Sequence, residues 1–202
     1  MIYSNTKVYE EDYELIYQNV FGLIEECPPE SSLFFELLEY NDLSAIVYDY
    51  NHSEKVDDAI VSYISINMWA NNDFDVALLT KSNVEYTYIK SRVENCIRDL
   101  IDGTRSQDET ELIITKEEIK LKNIHNKGIS FFRRLNANKY WSHGAPDRCI
   151  VFNGNHYSNV NNETFRLISS YIQAHWGKII VCTREPNLVS KLNLDDNAII
   201  TL

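Results

Sequence analysis

Polar residues that could bind an anion follow most of the short apolar runs in this sequence. Three runs finish in a threonine and a cation, and two others lead into segments with a histidine. In open α/β sheets, ligands bind beyond the carboxyl ends of the strands. Cations there neutralise phosphate, hydroxyls and amides orient it, and histidine can transfer a proton. The predicted ligand-binding residues are Thr80, Lys81, Ser82, Thr115, Lys116, Asn153, Thr183 and Arg184, and the candidate catalytic residues are His52 and His156.

The same residue types also have an ordinary structural use. Threonine and serine cap helices, and lysine and arginine are common in exposed loops. The sequence contains neither G-x-x-x-x-G-K-[ST] nor G-x-G-x-x-G, and its first apolar run leads into Asp49–Ser53, which has no glycine. Hydrolysis of ATP by a standard P-loop is therefore not expected. The sequence leaves open whether the protein is an enzyme, and it favours a protein without catalytic activity. No metal or cofactor is expected.

A second candidate site is the basic segment 119–148, in which seven cations face one aspartate and alternate with aromatic residues. Cations neutralise phosphates and aromatic rings stack on bases, so the segment suits single-stranded nucleic acid. The alternative is a helix over 129–140 with Phe131 and Phe132 in the core and Arg133 and Arg134 in solvent. The nucleic-acid candidates are Lys127, Arg133, Arg134 and Lys139.

The amino-terminal part of the chain is strongly acidic. Residues 1–60 hold 14 acidic residues against Lys7 and Lys55, whereas residues 123–202 carry a net charge of +4. Carboxylates displayed on helices accelerate docking onto a basic surface, as inhibitors and immunity proteins do. The alternative is a solvated helix face. The predicted contacts to a basic protein partner are Glu25, Glu26, Glu36 and Glu39.

The elements that must position these residues follow from hydrophobic periodicity. Apolar residues at helical spacing predict an acidic helical segment over 1–42. Beyond it, apolar runs alternate with amphipathic helices, which predicts an α/β domain over 43–202. Parallel neighbours need crossover connections, so we expect a mostly parallel, doubly wound, Rossmann-like or P-loop-like sheet of about six strands. The predicted strands are 45–50, 76–80, 112–115, 149–153, 179–183 and 198–202, and the predicted helices are 54–69, 83–102, 129–140, 161–176 and 187–192.

One stretch is ambiguous and one helix has strong local support. Thr115 with Glu118 could be a capping box, yet Ile119–Lys122 alternates as a strand does. Ser82 with Glu85 forms a capping box before a long apolar stripe, which Gly103 closes. The capping box and Gly103 therefore predict the first and last residues of the helix over 83–102.

Composition excludes several classes of protein. The four cysteines are scattered without a C-x-x-C pair, so neither a disulfide framework nor a zinc site is indicated. The sequence has no apolar run of about 18 residues and no secretory pattern at its start. These features predict a cytoplasmic protein that does not enter a membrane.

The run Ala45–Tyr50, followed by Asp75–Thr80 and by Tyr86, Ile89 and Lys90, resembles BrxB-type components of bacterial BREX phage-defence systems. The resemblance covers residues 45–102. It implies a P-loop-like core without the phosphate-binding lysine, and a non-hydrolytic role in a bacterial conflict system. The sequence departs from that pattern after the second strand, where Lys81, Ser82 and Asn83 stand in place of glycines, so no active residue is carried over.

Three hypotheses follow. The first is a non-catalytic protein of a bacterial or phage conflict system that docks a basic partner through acidic helices, as an inhibitor, immunity protein or defence-complex subunit. The second is an enzyme or sensor for a nucleotide or phosphorylated small molecule at the carboxyl edge of the sheet. The third is nucleic-acid binding through segment 119–148.

Overall fold

The residues that the structure describes fold around one eight-stranded sheet. The computed structural model describes residues 33, 37, 43–70, 73–80, 82–103, 110–124, 127–135, 149–153, 165–166, 168–170, 178–192 and 199–202. In chain order its elements are β1 (Leu43–Val47), a 3-10 turn (Tyr50–His52), α1 (Ser53–Ala70), β2 (Asp75–Leu79), α2 (Asn83–Gly103), β3 (Thr110–Ile114), β4 (Glu118–Asn123), β5 (Ile129–Arg134), β6 (Cys149–Asn153), β7 (Lys178–Thr183), α3 (Pro186–Leu192) and β8 (Ile199–Thr201). Single helical residues lie at Leu33 and Leu37, and helix is also present within 165–170.

The sheet is mostly parallel. Its strand order is β3-β4-β5-β2-β6-β7-β1-β8, and every pairing from β5 to β8 is parallel. Only β4 runs the other way, antiparallel to β3 and β5. One apolar cluster joins α1 and α2 to one face of the sheet, and a second joins α3 and Ile168 to the other face. The predicted α/β class, with helices on both faces, is confirmed.

Two sequence predictions were wrong. The sheet has eight strands rather than about six, because the ambiguous stretch forms β4 and segment 129–140 begins as β5. Phe132 is fully buried and stacks on the Tyr86 ring of α2, whereas Phe131 on the other face is half-buried. Apolar residues at 131, 132 and 135 also fit a helix, so hydrogen bonding to β2 and β4 decided the outcome.

The prediction for α2 is confirmed in detail. The Ser82 N–H donates to a carboxylate oxygen of Glu85, and the Glu85 N–H donates to the Ser82 hydroxyl, both at 3.3 Å. This reciprocal pair satisfies donors that a helix start leaves without partners. The buried stripe runs from Tyr86 to Ile101, and the helix ends at Gly103. None of the described helices combines the length and apolarity needed to cross a bilayer.

The amino-terminal segment contributes to the main core. Leu33 and Leu37 are 1% and 0% exposed to solvent, and they pack in the same apolar cluster as the buried residues of α1 and α2. The buried ammonium of Lys178, at the start of β7, donates to the Leu37 carbonyl and lies 5.4 Å from the centre of the Tyr63 ring. These contacts lie at the amino edge of the sheet. The division at residue 42 stays a prediction, since most of the first segment is outside the described residues.

Candidate functional site

The carboxyl ends of seven strands share one edge of the sheet. β3 points the same way as the parallel strands because two antiparallel pairings separate it from β5. The predicted ligand residues that follow β2, β3, β6 and β7 therefore lie along this edge. The expectation that the strand ends gather on a common rim is confirmed.

The predicted ligand residues do not form one pocket. β3 stands five strand spacings from β7, which is about 24 Å. Thr115 and Lys116 are therefore far from Thr183 and Arg184. Thr80 and Ser82 lie between these two groups, after β2. Lys81 and His156 are outside the described residues.

Four of the predicted hydroxyls make local backbone contacts. Thr80 donates to the Ser82 carbonyl at 3.0 Å, and the Ser82 hydroxyl caps α2. The Thr115 hydroxyl accepts the Glu117 and Glu118 N–H groups at 3.3 and 3.1 Å, which closes the β3–β4 turn. The Thr183 hydroxyl accepts the Glu185 N–H at 3.0 Å. Of these contacts, the one at Ser82 is a helix cap, the role that the sequence offered as the alternative to ligand binding.

A buried polar cluster lies where β1, β6 and β7 meet α1. The Asn153 amide donates to the Asp57 carboxylate at 3.0 Å, and both residues are less than 10% exposed. Burial raises the pKa of the Cys182 thiol, and the Asp57 carboxylate raises it further. Cys182 therefore stays a protonated thiol, which is a poor nucleophile. Burial likewise raises the pKa of Tyr48, so its hydroxyl stays neutral.

Sequence reasoning missed the helix partner in this cluster. Asp57 stands on α1 between Val56 and Asp58, and only its helical spacing from Ile60 and Val61 could have marked it as buried. A carboxylate on a buried helix face needs a donor, because an uncompensated charge there is costly. Asn153 is the donor that the strand end supplies.

Arg184 joins this cluster to the surface. Its guanidinium carbon lies 6.0 Å from the centre of the buried Tyr48 ring and 5.0 Å from the centre of the Tyr50 ring, which is 77% exposed. Cation–π contacts of this kind orient the guanidinium. The arginine side chain thus covers the loop that follows β1.

In the loop that follows β1, the Asp49 side chain accepts hydrogen bonds from the backbone of the same loop. Asp49 accepts the N–H groups of Asn51 and His52 at 2.9 and 3.2 Å, and it contacts the Nδ1 atom of His52 at 2.6 Å. The hydrogen bond from the His52 ring, aided by the Asn51 N–H, lowers the pKa of Asp49 below its ordinary value. Backbone donors at a helix start are where phosphate usually binds. Here the Asp49 carboxylate accepts two N–H groups of the 3-10 turn that precedes α1.

The nucleic-acid candidates fall on a hairpin rather than on the predicted helix. Lys127 is exposed in the β4–β5 turn with φ of 60°, a left-handed conformation that is uncommon outside glycine. Arg133 and Arg134 end β5 on opposite faces of the sheet, and Arg134 donates to the side chain of Asn83. Lys139 is outside the described residues, as are Glu25, Glu26, Glu36 and Glu39.

No group of three or more histidine, cysteine, aspartate or glutamate residues within the described ranges is arranged to hold a metal ion. The described cysteines, Cys96, Cys149 and Cys182, are buried free thiols.

Solved structures with a similar fold include phage large terminases, whereas neither a family model nor a curated protein sequence matches the chain. The large terminase of a thermophilic bacteriophage has a TM-score of 0.53 and 10% identity, over 85% of this chain and 45% of that one. The complex of the same terminase with ADP has a TM-score of 0.50 and 9% identity, over 92% and 44%. The HK97 bacteriophage large terminase has a TM-score of 0.53 and 12% identity, over 92% and 43%.

This chain thus spans less than half the length of these two phage terminases. At such low identity the likeness establishes a fold and not an activity. The shared fold is an α/β fold, here with a mostly parallel sheet.

Proposed function

We propose that this chain is a non-catalytic binding protein of a bacterial or phage conflict system, built on a P-loop-like fold. The observation that carries the proposal is the Asp49 carboxylate on the backbone donors between β1 and α1. An inhibitor, an immunity protein and a defence-complex subunit are the forms that fit it.

The β1–α1 connection is a strand–loop–helix unit of the kind that holds phosphate in P-loop proteins. In those proteins an eight-residue, glycine-containing motif lets backbone N–H groups surround the phosphates. Here the segment Tyr48–His52 separates the strand from the helix without a glycine. Asp49 would repel a phosphate brought to the same donors, and Arg184 is held against the loop by two tyrosine rings.

The end of β6, which faces α1, also lacks the aspartate found at this kind of strand end in P-loop NTPases. In P-loop NTPases an aspartate helps to hold Mg²⁺ beside the phosphates. At the end of β6 this chain has Asn153, a neutral amide that donates to Asp57. Asp57 is thereby occupied by a protein donor. Two parts of the hydrolytic apparatus, the glycine loop and the strand-end carboxylate, are replaced by contacts within the chain.

The conflict-system context rests on two supports. The structural neighbours are phage proteins. Residues 45–102 resemble BrxB-type defence components, whose implied P-loop-like core lacks the phosphate-binding lysine. Both supports concern the fold, and a protein can keep a fold after it has lost the ability to hydrolyse nucleotides.

We expect ATP and ADP, each with MgCl₂, to leave the melting temperature of the protein unchanged. A nucleotide present at 100 times its dissociation constant would stabilise the folded state by about 2.7 kcal/mol, which differential scanning fluorimetry detects. The same titration on Asp49→Asn tests whether the carboxylate alone keeps phosphate out. Magnesium-dependent turnover of ATP by the natural chain would contradict the proposal.

The second candidate function, a nucleotide sensor at the carboxyl edge, is favoured by the exposed Tyr50 ring beside Arg184. It predicts a nucleotide-dependent rise in melting temperature without turnover. That rise should disappear in Arg184→Gln and persist in Arg98→Gln, which removes a cation from the exposed surface of α2.

For the protein partner, we expect neutralisation of the four predicted glutamates to weaken capture of a basic partner. The variant changes Glu25, Glu26, Glu36 and Glu39 to glutamine, and pull-downs at 50 and 300 mM NaCl provide the measurement. Attraction between opposite charges accelerates association and is screened by salt. A matched variant that neutralises four exposed acids elsewhere, Glu54, Asp73, Asp102 and Glu111, controls for net charge. Equal capture by both variants would exclude the acidic segment as the docking face.

A further inference from the structure

We propose that the outer face of the β3–β4–β5 meander binds single-stranded nucleic acid. Strand geometry places Lys120, Lys122, Phe131 and Arg133 on this face, which we call the meander face. The register pairs Lys120 with Phe131, and Lys122 with Ile129. Phe132 and Leu121 are buried on the opposite face against the main core.

The side chains of the meander face are partly exposed to solvent. Lys120 and Lys122 keep 33% and 37% of their side-chain exposure, and Phe131, Ile129 and Arg133 are half-buried. The Lys120 ammonium lies 5.4 Å from the centre of the Phe131 ring. A cation next to a partly exposed ring is the pairing that lets a base stack while the phosphate is neutralised. When a base stacks on the Phe131 ring, the Lys120 ammonium can contact the phosphate next to that base.

The meander face has an electrostatic preference for a polyanion. With the exposed Lys127 at the β4–β5 turn, its cations outnumber the carboxylates Glu111 and Glu118 and the Asp75 carboxylate beside Phe131 on β2. Lys120 contacts Glu118, and Lys122 contacts Glu111, each at 2.8 Å. Exposed ion pairs of this kind contribute little to stability. A phosphate can therefore replace either carboxylate at small cost.

The β-structure is what brings these groups together. On the helix predicted for 129–140, Phe131 would turn inward and the two arginines would lie in solvent. On a strand, side chains alternate between faces, so Phe131 and Arg133 share one face with the lysines of β4. The inference is independent of the β1–α1 loop and of the acidic segment.

The test is fluorescence anisotropy with a labelled 20-nucleotide single strand of mixed sequence, as DNA and as RNA, titrated with the full chain. Three phosphate contacts predict an affinity that falls about 20-fold between 50 and 200 mM NaCl. Phe131→Ala is expected to weaken binding by about tenfold or more, because one stacked base is lost. Lys122→Gln and Arg133→Gln, which do not alter the core, should weaken it several-fold each.

Two further variants separate a local effect from net charge. Glu111→Gln releases Lys122 and should tighten binding a few-fold, whereas Arg98→Gln, at another exposed ion pair, should leave it unchanged. Absence of binding to both strands at 50 mM NaCl would overturn the proposal. Equal losses in Lys122→Gln and Arg98→Gln, or a preference for a duplex of the same length, would also overturn it.

Discussion

Replacing Asn153 with aspartate is expected to lower the free energy of unfolding by about 3 kcal/mol or more at pH 7. The Asn153 amide donates to the Asp57 carboxylate at 3.0 Å, and the two side chains are 4% and 8% exposed. A second carboxylate at this place would remove the donor and set two like charges against each other away from water. This is the chemical change that would restore an aspartate at the strand end.

The loss should depend on pH. Two carboxyl groups in such close contact cannot both ionise, so the folded variant retains a proton that its unfolded chain releases above about pH 4. The folded state then binds more protons than the unfolded state, and stability falls as pH rises. Urea denaturation at pH 4.5 and pH 7 should therefore show a smaller deficit at the lower pH.

Asn187→Asp provides the matched control for this measurement. Asn187 is exposed in the first turn of α3, where a carboxylate is tolerated, so its effect should stay within about 0.5 kcal/mol. An Asn153→Asp protein with the stability of the natural chain at both values of pH would mean that the Asp57 contact is solvated.

Replacing Leu37 with alanine is expected to cost about 2–5 kcal/mol of unfolding free energy. The side chain is fully buried in the cluster that contains α1 and α2, although it belongs to a segment that the sequence separates from the α/β domain. Removing three carbons from a packed site leaves a cavity that the surroundings fill only in part. Chemical denaturation of the full chain provides the measurement.

Val84→Ala is the comparison for Leu37→Ala. Val84 is 78% exposed on α2, so losing its methyl groups should change stability by less than about 0.5 kcal/mol. Equal stability of the two variants would show that residue 37 does not pack on the sheet in solution. It would also remove the reason to treat the acidic segment as anchored to the core.

Much of the fold could be predicted because its signals are local. The strand at Cys149–Asn153 has the predicted bounds, and α2 begins and ends where its capping box and Gly103 indicate. A helix between two strands carries the chain back across the sheet, so repeated strand–helix units place the strands parallel to one another. The common carboxyl edge followed from that rule alone.

The candidate site could be predicted only in part. Their positions at strand ends make Asn153 and Arg184 predictable as members of the cluster, whereas Asp57 and Tyr50 have no such local signal. Asp57, the partner of Asn153, is 96 residues away in the chain. Tyr50, which contacts Arg184, lies on the β1–α1 loop. No short-range pattern connects residues so far apart in the chain.

By itself, the sequence determined the fold class, the main helix boundaries, the lack of a glycine-rich phosphate loop and the uneven charge along the chain. These properties depend on residue type and on spacing within one element. Only the tertiary structure decided that residues 129–134 form a strand, that Thr115 lies far from Arg184, and that Asn153 pairs with Asp57. Strand order and burial arise from contacts between distant segments, and their energies decide between local conformations that the sequence leaves nearly equal.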